Sequence, residues 1–415
     1  MAHFLVSSPD LRPSLLSILQ GLDESDLLAR VATTISFSPQ QIKLLAGVPL
    51  VGRALGRILK RRQAPAFIAD KVDNIWIREL PRTLSARIMD PNVTHDLWEW
   101  AETSFDRIVA RRYGGRFDIV YGMEHSSAAT FKAQKAGGGR CVLRQVSAHA
   151  RTINTILRQE TDRFPQFVTV YHRLLMENEE KIASRKETEY ELADLIVANS
   201  HYVKKTFIEN GVPPAKIVAV PTGCPPVDRV GARSGVGRDA LRVLYVGTLS
   251  LRKGFPYLLE AWRRAEFGPH GELWIAGKPE LDVMKELQAE PTIRYLGMLT
   301  KDELFDVYRQ ADLMVLPTLC EGLAHSVLEA LSFGLPIITT EASGIGDLIV
   351  EGENGFVVPA RDAGALALAL VDALKYRTRL PAMGARSAEK ARSWTLAHSN
   401  AQHLSHVKKL IDCQD

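Results

Sequence analysis

The chain has 415 residues, 46% hydrophobic and 24% charged, with a formal net charge of +4 at pH 7. That length predicts two or three domains, and the balance is that of a soluble globular protein, not a disordered or fibrous one. The four cysteines (Cys141, Cys224, Cys320 and Cys413) are far apart and form no CxxC or Cys/His cluster, which excludes a zinc or disulfide framework. The opening MAHFLVSSPD has no basic n-region, and no uninterrupted apolar run reaches the length of a bilayer. A cytoplasmic chain is therefore expected, with the inner face of the membrane as its only membrane contact.

Taken in order, HFLVSS (His3 to Ser8) reads as a first strand. Leu27 to Ala69 contains no acidic residue, and within it LVGRALGRILKRR (residues 50–62) sets apolar residues on one helical face and Arg53, Arg57, Lys60 and Arg61 on the other. Such a helix suits an anionic membrane surface; it equally suits a core-facing helix with a solvated basic face. The patch has no interleaved aromatics, so nucleic acid is not expected as a partner. FDIVYGM, CVLRQV, DLIVANS and KIVAVPTG follow as strands, with helices over Trp98 to Arg112 and Ser126 to Lys135. CPPVDRVGARSGVGRDA is rich in Pro, Gly and Arg and reads as a linker. A second alternation begins with LRVLYVG and continues through ELWIAG, TIRYLG, DLMVLPT, PIITT and GFVVPA. Two α/β units in tandem imply a cleft between them, a preferred place for a ligand.

CEGLAHSVLEALSFGLPIITT, Cys320 to Thr340, carries the chemistry. DLMVLPT before it is a buried strand, Val327, Leu328, Leu331 and Phe333 recur at helical spacing, and PIITT is the next strand. Glu321 falls in the loop at a strand's carboxyl end, where open α/β sheets bind ligands, and Glu329 lies one to two turns into the helix. Between them the amides of Gly322, Leu323 and Ala324 form an anion site at the helix start. Two acceptors flanking a set of donors suit a ligand with hydroxyls at both ends and phosphate between. TLSLRKGF, after LRVLYVG, adds Arg252 and Lys253 at the same sheet edge. GVGRDA precedes its strand and so is no dinucleotide fingerprint; Walker A, HExxH and G-x-S-x-G patterns are missing, and so is DxD. A bound diphosphate would therefore be neutralised by protein cations and amides.

The blocks VLYVGTLSLRKGFPYLLEAW, YLGMLTKDELFDVYRQADLMVLPTLCEG and HSVLEALSFGLPIITTEASGIGDLIVEGENGFVVPARD, with DLIVANSHYVKKTFIENGVPPAKIVAVPTG before them, resemble the retaining glycosyltransferases of the family-four (group 1) type, which use nucleotide-sugar donors. The resemblance implies a GT-B fold: an α/β chain of two Rossmann-like domains facing a cleft. It places an acceptor-side domain over 1–228, a linker over 229–240 and a donor domain over 241–393, with a C-terminal helix at about 394–415 packing back on the first. Glu321 corresponds to the family's first glutamate, holding donor-sugar hydroxyls, and Glu329 to the second, on the ribose. Lys253 corresponds to the diphosphate-binding lysine, while Gly247, Gly322, Leu323 and Ala324 belong to the donor-binding loops. No metal or cofactor is implied. The usual arginine after the strand's glycine is Thr248 here, and Arg252 is the substitute charge. His149, with His125 as the alternative, is the histidine expected beside the sugar. The function implied is retaining hexosyl transfer from a nucleoside diphosphate sugar to a glycan or lipid-linked hydroxyl, in cell-surface polysaccharide or glycolipid synthesis. Its rivals are a phosphorylase or epimerase on the same fold and a catalytically degenerate binding partner.

Overall fold

The computed structural model describes residues 3–11, 13–37, 41–42, 64–75, 91–225 and 240–412. The basic helix expected at 50–62 and residues 229–239 of the expected linker lie outside them.

The first sheet contains β1 (Phe4–Ser7), β2 (Leu28–Thr33), β3 (Val72–Asn74), β4 (Ile119–Met123), β5 (Arg140–Gln145), β6 (Leu195–Ala198) and β7 (Ile217–Ala219). Among the described residues its order is β3-β2-β1-β4-β5-β6-β7, parallel throughout. The second sheet contains β8 (Leu241–Val246), β9 (Gly271–Ala276), β10 (Ile293–Gly297), β11 (Leu313–Leu316), β12 (Ile337–Thr340) and β13 (Gly355–Val358), in the order β10-β9-β8-β11-β12-β13. In each sheet the winding reverses once, between β1 and β4 and between β8 and β11. These switch points open crevices at the strands' carboxyl ends.

Among the described residues, the helices of the first domain are α1 (Pro13–Glu24), α2 (Pro91–Tyr113), α3 (Ala128–Ala136), α4 (Ala150–Arg163), α5 (Val170–Leu192) and α6 (His201–Glu209). Those of the second are α7 (Phe255–Ala265), α8 (Met284–Ala289), α9 (Lys301–Gln310), α10 (His325–Ser332), α11 (Ala363–Lys375) and α12 (Leu380–Ser393). Their starts are written locally. Thr300 caps α9 in a capping box with Glu303, whose carboxylate accepts from the Thr300 amide at 2.7 Å. Asp362 caps α11 by accepting from the Ala365 amide at 2.8 Å.

The first sheet is covered on both faces. Val6, Val31, Tyr121 and Val142 pack under α1 on one side, and Leu5, Val120, Leu143 and Ile196 with Phe105 and Phe131 on the other. The last helix, α13 (Leu396–Asp412), does not stay with the second domain: it lies on α1, contributing Leu404 and Val407 to the first core. Gly21 permits this approach, since a Cβ there would collide with the Leu404 side chain. The two chain passages between the domains run side by side, with the Cys224 amide donating to the Trp394 carbonyl at 2.7 Å. A third link is made by α4 and the turn after it. Glu160, 2% exposed, accepts from the Tyr257 hydroxyl at 2.8 Å and pairs with Arg361 at 2.7 Å, while Phe167 joins the second domain's core.

Candidate active site

After β8 the chain turns through Ser250 to Gly254. Gly254 has φ +65°, and a Cβ there would strike the Pro317 carbonyl oxygen, so the turn needs glycine. The turn is fastened to the loop after β11: the Leu319 amide and the Thr318 hydroxyl both donate to the Arg252 carbonyl, at 2.8 and 3.1 Å. This brings Arg252 and Lys253 onto Glu321. The Lys253 ammonium pairs with one carboxylate oxygen, and the Arg252 guanidinium lies 3.5 Å from the other while donating to the Cys320 carbonyl at 3.2 Å. Burial alone would raise the Glu321 pKa, but the two cations outweigh it and hold the carboxyl below its usual range.

Gly322 is pressed against the other domain. A Cβ there would collide with the Val146 carbonyl oxygen at the end of β5, an oxygen that also accepts from Asn199 Nδ2 at 3.1 Å. The amides of Gly322 and Leu323 donate to no backbone carbonyl of the described residues. Ala324 differs from expectation: its amide donates to the Ser343 carbonyl at 3.2 Å, so in this conformation it is not an open anion donor. Glu329 sits one turn into α10, half-buried, and accepts from the Tyr308 hydroxyl at 3.1 Å. Burial raises its pKa, against the opposing Tyr308 bond. Gly247 follows β8, its amide bonded to the Ala276 carbonyl at 3.0 Å. Thr248 and Arg252 line the same wall.

Two hollows flank the Arg252–Glu321 pair. The larger, about 430 Å³, runs between Thr248, Ser250, Arg252 and Glu280 of the second domain and α4 and α5 of the first, where Ile153, Leu157, Met176 and Ile182 give it an apolar side. Glu124, Ser147 and Lys186 form its polar end. The smaller, about 170 Å³, lies between Glu321, Leu323 and His325 and the carboxyl ends of β4, β5 and β6.

The structure does not bring His149 to this site. The His149 imidazole caps α4, accepting from the Arg151 amide at 3.3 Å, and is 3% exposed with its ring 5.0 Å from those of Tyr190 and Phe207. Burial lowers its pKa to about 4. The hollow it lines, with Arg151, Glu187 and Lys216, contains no residue of the second domain. His125 is engaged elsewhere too: its ring contacts Glu99 at 2.9 Å, Glu102 at 3.0 Å and the Arg185 guanidinium at 2.6 Å. Glu99, Glu102 and His125 are close enough to hold an ion, but a guanidinium within the group opposes a cation. Sequence reasoning passed over Arg144, a charge inside the apolar run CVLRQV, which reaches the smaller hollow. That interruption of an apolar strand was the available signal.

Residues 240–376 match the family model described as glycosyl transferases group 1. The chain carries a group 1 glycosyltransferase domain. The chain is 29% identical over 236 residues to D-inositol 3-phosphate glycosyltransferase of Kineococcus radiotolerans, covering 49% of this chain and 54% of that one. It is 28% identical over 222 residues to the amylovoran biosynthesis glycosyltransferase AmsK of Erwinia amylovora, again 49% and 54% of the two chains. The chain thus spans about half the length of these curated relatives. Solved structures extend the likeness to the whole molecule at the level of fold. Anabaena HepE in complex with UDP and glucose superposes with a TM-score of 0.61 at 15% identity over 99% of this chain and 100% of that one. Sucrose-phosphate synthase from Thermosynechococcus elongatus gives 0.62 at 16% over 100% of both. The fold around the glycosyltransferase domain is GT-B, and no helix among the described residues is long and apolar enough to cross a membrane.

Proposed function

We propose that the protein transfers a hexosyl group from a nucleoside diphosphate sugar to an acceptor hydroxyl, with retention of anomeric configuration, in cell-surface polysaccharide or glycolipid synthesis. The observation that carries this reading is the fastening of Arg252 and Lys253 to Glu321 at the carboxyl edge of the second sheet, directly against the first domain. A diphosphate entering there takes the two cations, and Glu321, released from Lys253, accepts hydrogen bonds from the sugar. The Gly322 and Leu323 amides add donors beside it, and Glu329, steadied by Tyr308, takes the ribose hydroxyls. Arg252 and Lys253 supply the positive charge that otherwise falls to a divalent ion, and the leaving diphosphate receives the acceptor proton. No role at the sugar is assigned to His149, because its ring is enclosed by Tyr190 and Phe207. The basic stretch at 50–62 would hold the enzyme at an anionic lipid surface, in keeping with a lipid-linked acceptor.

The test is a thermal-shift panel of nucleotide sugars and nucleoside diphosphates in metal-free buffer, beside Glu329→Ala and Lys253→Ala. UDP and UDP-glucose lead the panel because HepE was solved with both. A ligand at 100 times its Kd stabilises by about 2.7 kcal/mol. One preferred donor, its shift cut by about half or more in both variants, is the expected result; no shift with any nucleotide refutes the reading.

A further inference from the structure

Arg144 is 5% exposed, yet neither of its side-chain partners carries charge. Its guanidinium contacts His403 Nδ1 at 3.3 Å and donates to the Thr222 hydroxyl at 3.2 Å. Burial, with Arg144 itself adding to the effect, holds the His403 pKa well below normal, so that imidazole is neutral. Its other nitrogen, Nε2, contacts the Tyr121 hydroxyl at 2.9 Å. No carboxylate of the described residues lies within ion-pair distance of Arg144. Asp10 and Glu321 line the same hollow without reaching it, and Glu321 is already balanced by Lys253 and Arg252. Desolvation lowers the Arg144 pKa, as it does for a cation with no anion nearby.

A buried guanidinium without a counter-ion is costly, and apolar side chains of similar volume would fill such a site at no loss of stability. The position has a second property. Arg144 stands at the carboxyl end of β5, opposite Met123 of β4, and forms one wall of the hollow whose other wall is Glu321. The donor diphosphate has its own cations on the far side of Glu321, so the hollow at Arg144 lies on the acceptor side.

We infer that Arg144 is a specificity residue for an acceptor carrying an anionic group, a phosphate or a carboxylate, which supplies the missing counter-ion when the acceptor enters between the domains. This rests on the glycosyl-transfer reading above. The planar fork of the guanidinium matches both groups in a two-point contact. The His403 imidazole on α13 and the Thr222 hydroxyl then act as positioning groups, fixing the fork without neutralising it.

The experiment measures binding of matched anionic and neutral polyols (glucose 6-phosphate, glucuronate and methyl glucoside) by calorimetry, to the full-length protein saturated with the nucleoside diphosphate it prefers. Wild type is expected to bind at least one anionic probe tenfold or more tightly than methyl glucoside, and the stronger of the two distinguishes phosphate from carboxylate. Arg144→Gln levels that preference, and Arg144→Lys keeps part of it. Both variants melt no lower than wild type and bind the nucleotide unchanged. The inference is overturned by equal or undetectable binding of charged and neutral probes to wild type, or by a preference that survives Arg144→Gln. A melting temperature lowered in both variants makes the residue a structural pin for α13, and lost nucleotide binding assigns it to the donor. If nucleotides bind wild type but the anionic probes do not, the donor-site reading stands and only this inference falls.

Discussion

The two sheet edges that face each other across the cleft hold their charges in opposite ways. On the second domain's edge Glu321 is balanced by Lys253 and Arg252; on the first domain's edge Arg144 has only neutral partners among the described residues. A balanced cluster can exchange partners, since a diphosphate taking the cations leaves the carboxylate to sugar hydroxyls. A solitary cation has nothing to exchange and gains its partner only from a ligand. On the proposed reading, the same residue types would serve a donor site that is satisfied when empty and an acceptor site that is not.

The largest effect is expected from unbalancing the satisfied side. Glu321→Gln should abolish measurable transfer and, by leaving the largely buried Lys253 and the partly exposed Arg252 beside a neutral group, lower stability by about 2–3 kcal/mol, somewhat under the usual cost of a broken buried pair because Arg252 keeps access to water. The pH dependence has a definite sign. Because the folded Glu321 pKa is lowered, its contribution is present above the unfolded value and is lost as pH falls through the folded one. Melting curves from pH 6 down to about pH 3 should therefore decline less steeply in Glu321→Gln than in wild type; parallel curves would remove the carboxylate from the balance.

Gly322→Ala attacks the contact between the edges. Its methyl would meet the Val146 carbonyl, so the domains cannot approach as they do here. A misplacement of about 1 Å costs roughly 100-fold in turnover, with nucleotide affinity kept. Unchanged turnover would show that the Val146 approach is not the reactive arrangement. Lys253→Ala should weaken nucleotide binding by roughly ten- to a hundredfold, the loss of one charge-assisted bond of about 1.5–3 kcal/mol, read by calorimetry. Tyr308→Phe is the mildest: deleting the hydroxyl that steadies Glu329 removes about 1 kcal/mol, seen as a roughly fivefold rise in the Kd of the nucleoside diphosphate.

Legibility in the sequence divides along the same line. In the second domain every strand but β12 is a short, mostly apolar run ended by Gly or Pro, as in LRVLYVG and DLMVLPT, and the order of strand, loop and helix alone places Glu321, Arg252 and Lys253 at one edge. The first domain hides more. Its second strand, LARVAT, lacks a stop signal, and its α4–α5 pair went unassigned because the polar faces of these helices, with Arg151 and Glu187 paired across them, dilute the apolar period. His149 was placed beside the sugar from its position after a strand, but position along the chain does not say which way a ring points; Tyr190 and Phe207, distant in sequence, decide that. The Ala324 amide is likewise closed by the Ser343 carbonyl, a partner nineteen residues on that the local pattern does not announce. Long-range partners of this kind leave no periodic trace.

Helix α13, lying on α1 of the first domain, sets the order of events during synthesis. Helix α1 meets its covering helix, which brings Leu404 against Gly21 and adds Val407 to the core, only after the whole second domain has been translated. At about 5–20 residues per second, the ribosome needs roughly 10–30 s to travel from residue 225 to residue 396. For that interval the first domain lacks the helix that covers α1, while the second domain, whose buried core takes only Phe167 and Cys224 from the first among the described residues, is already being completed. The first domain is therefore completed only when α13 seats on α1, and a chain that stops before residue 396 leaves that face of α1 uncovered.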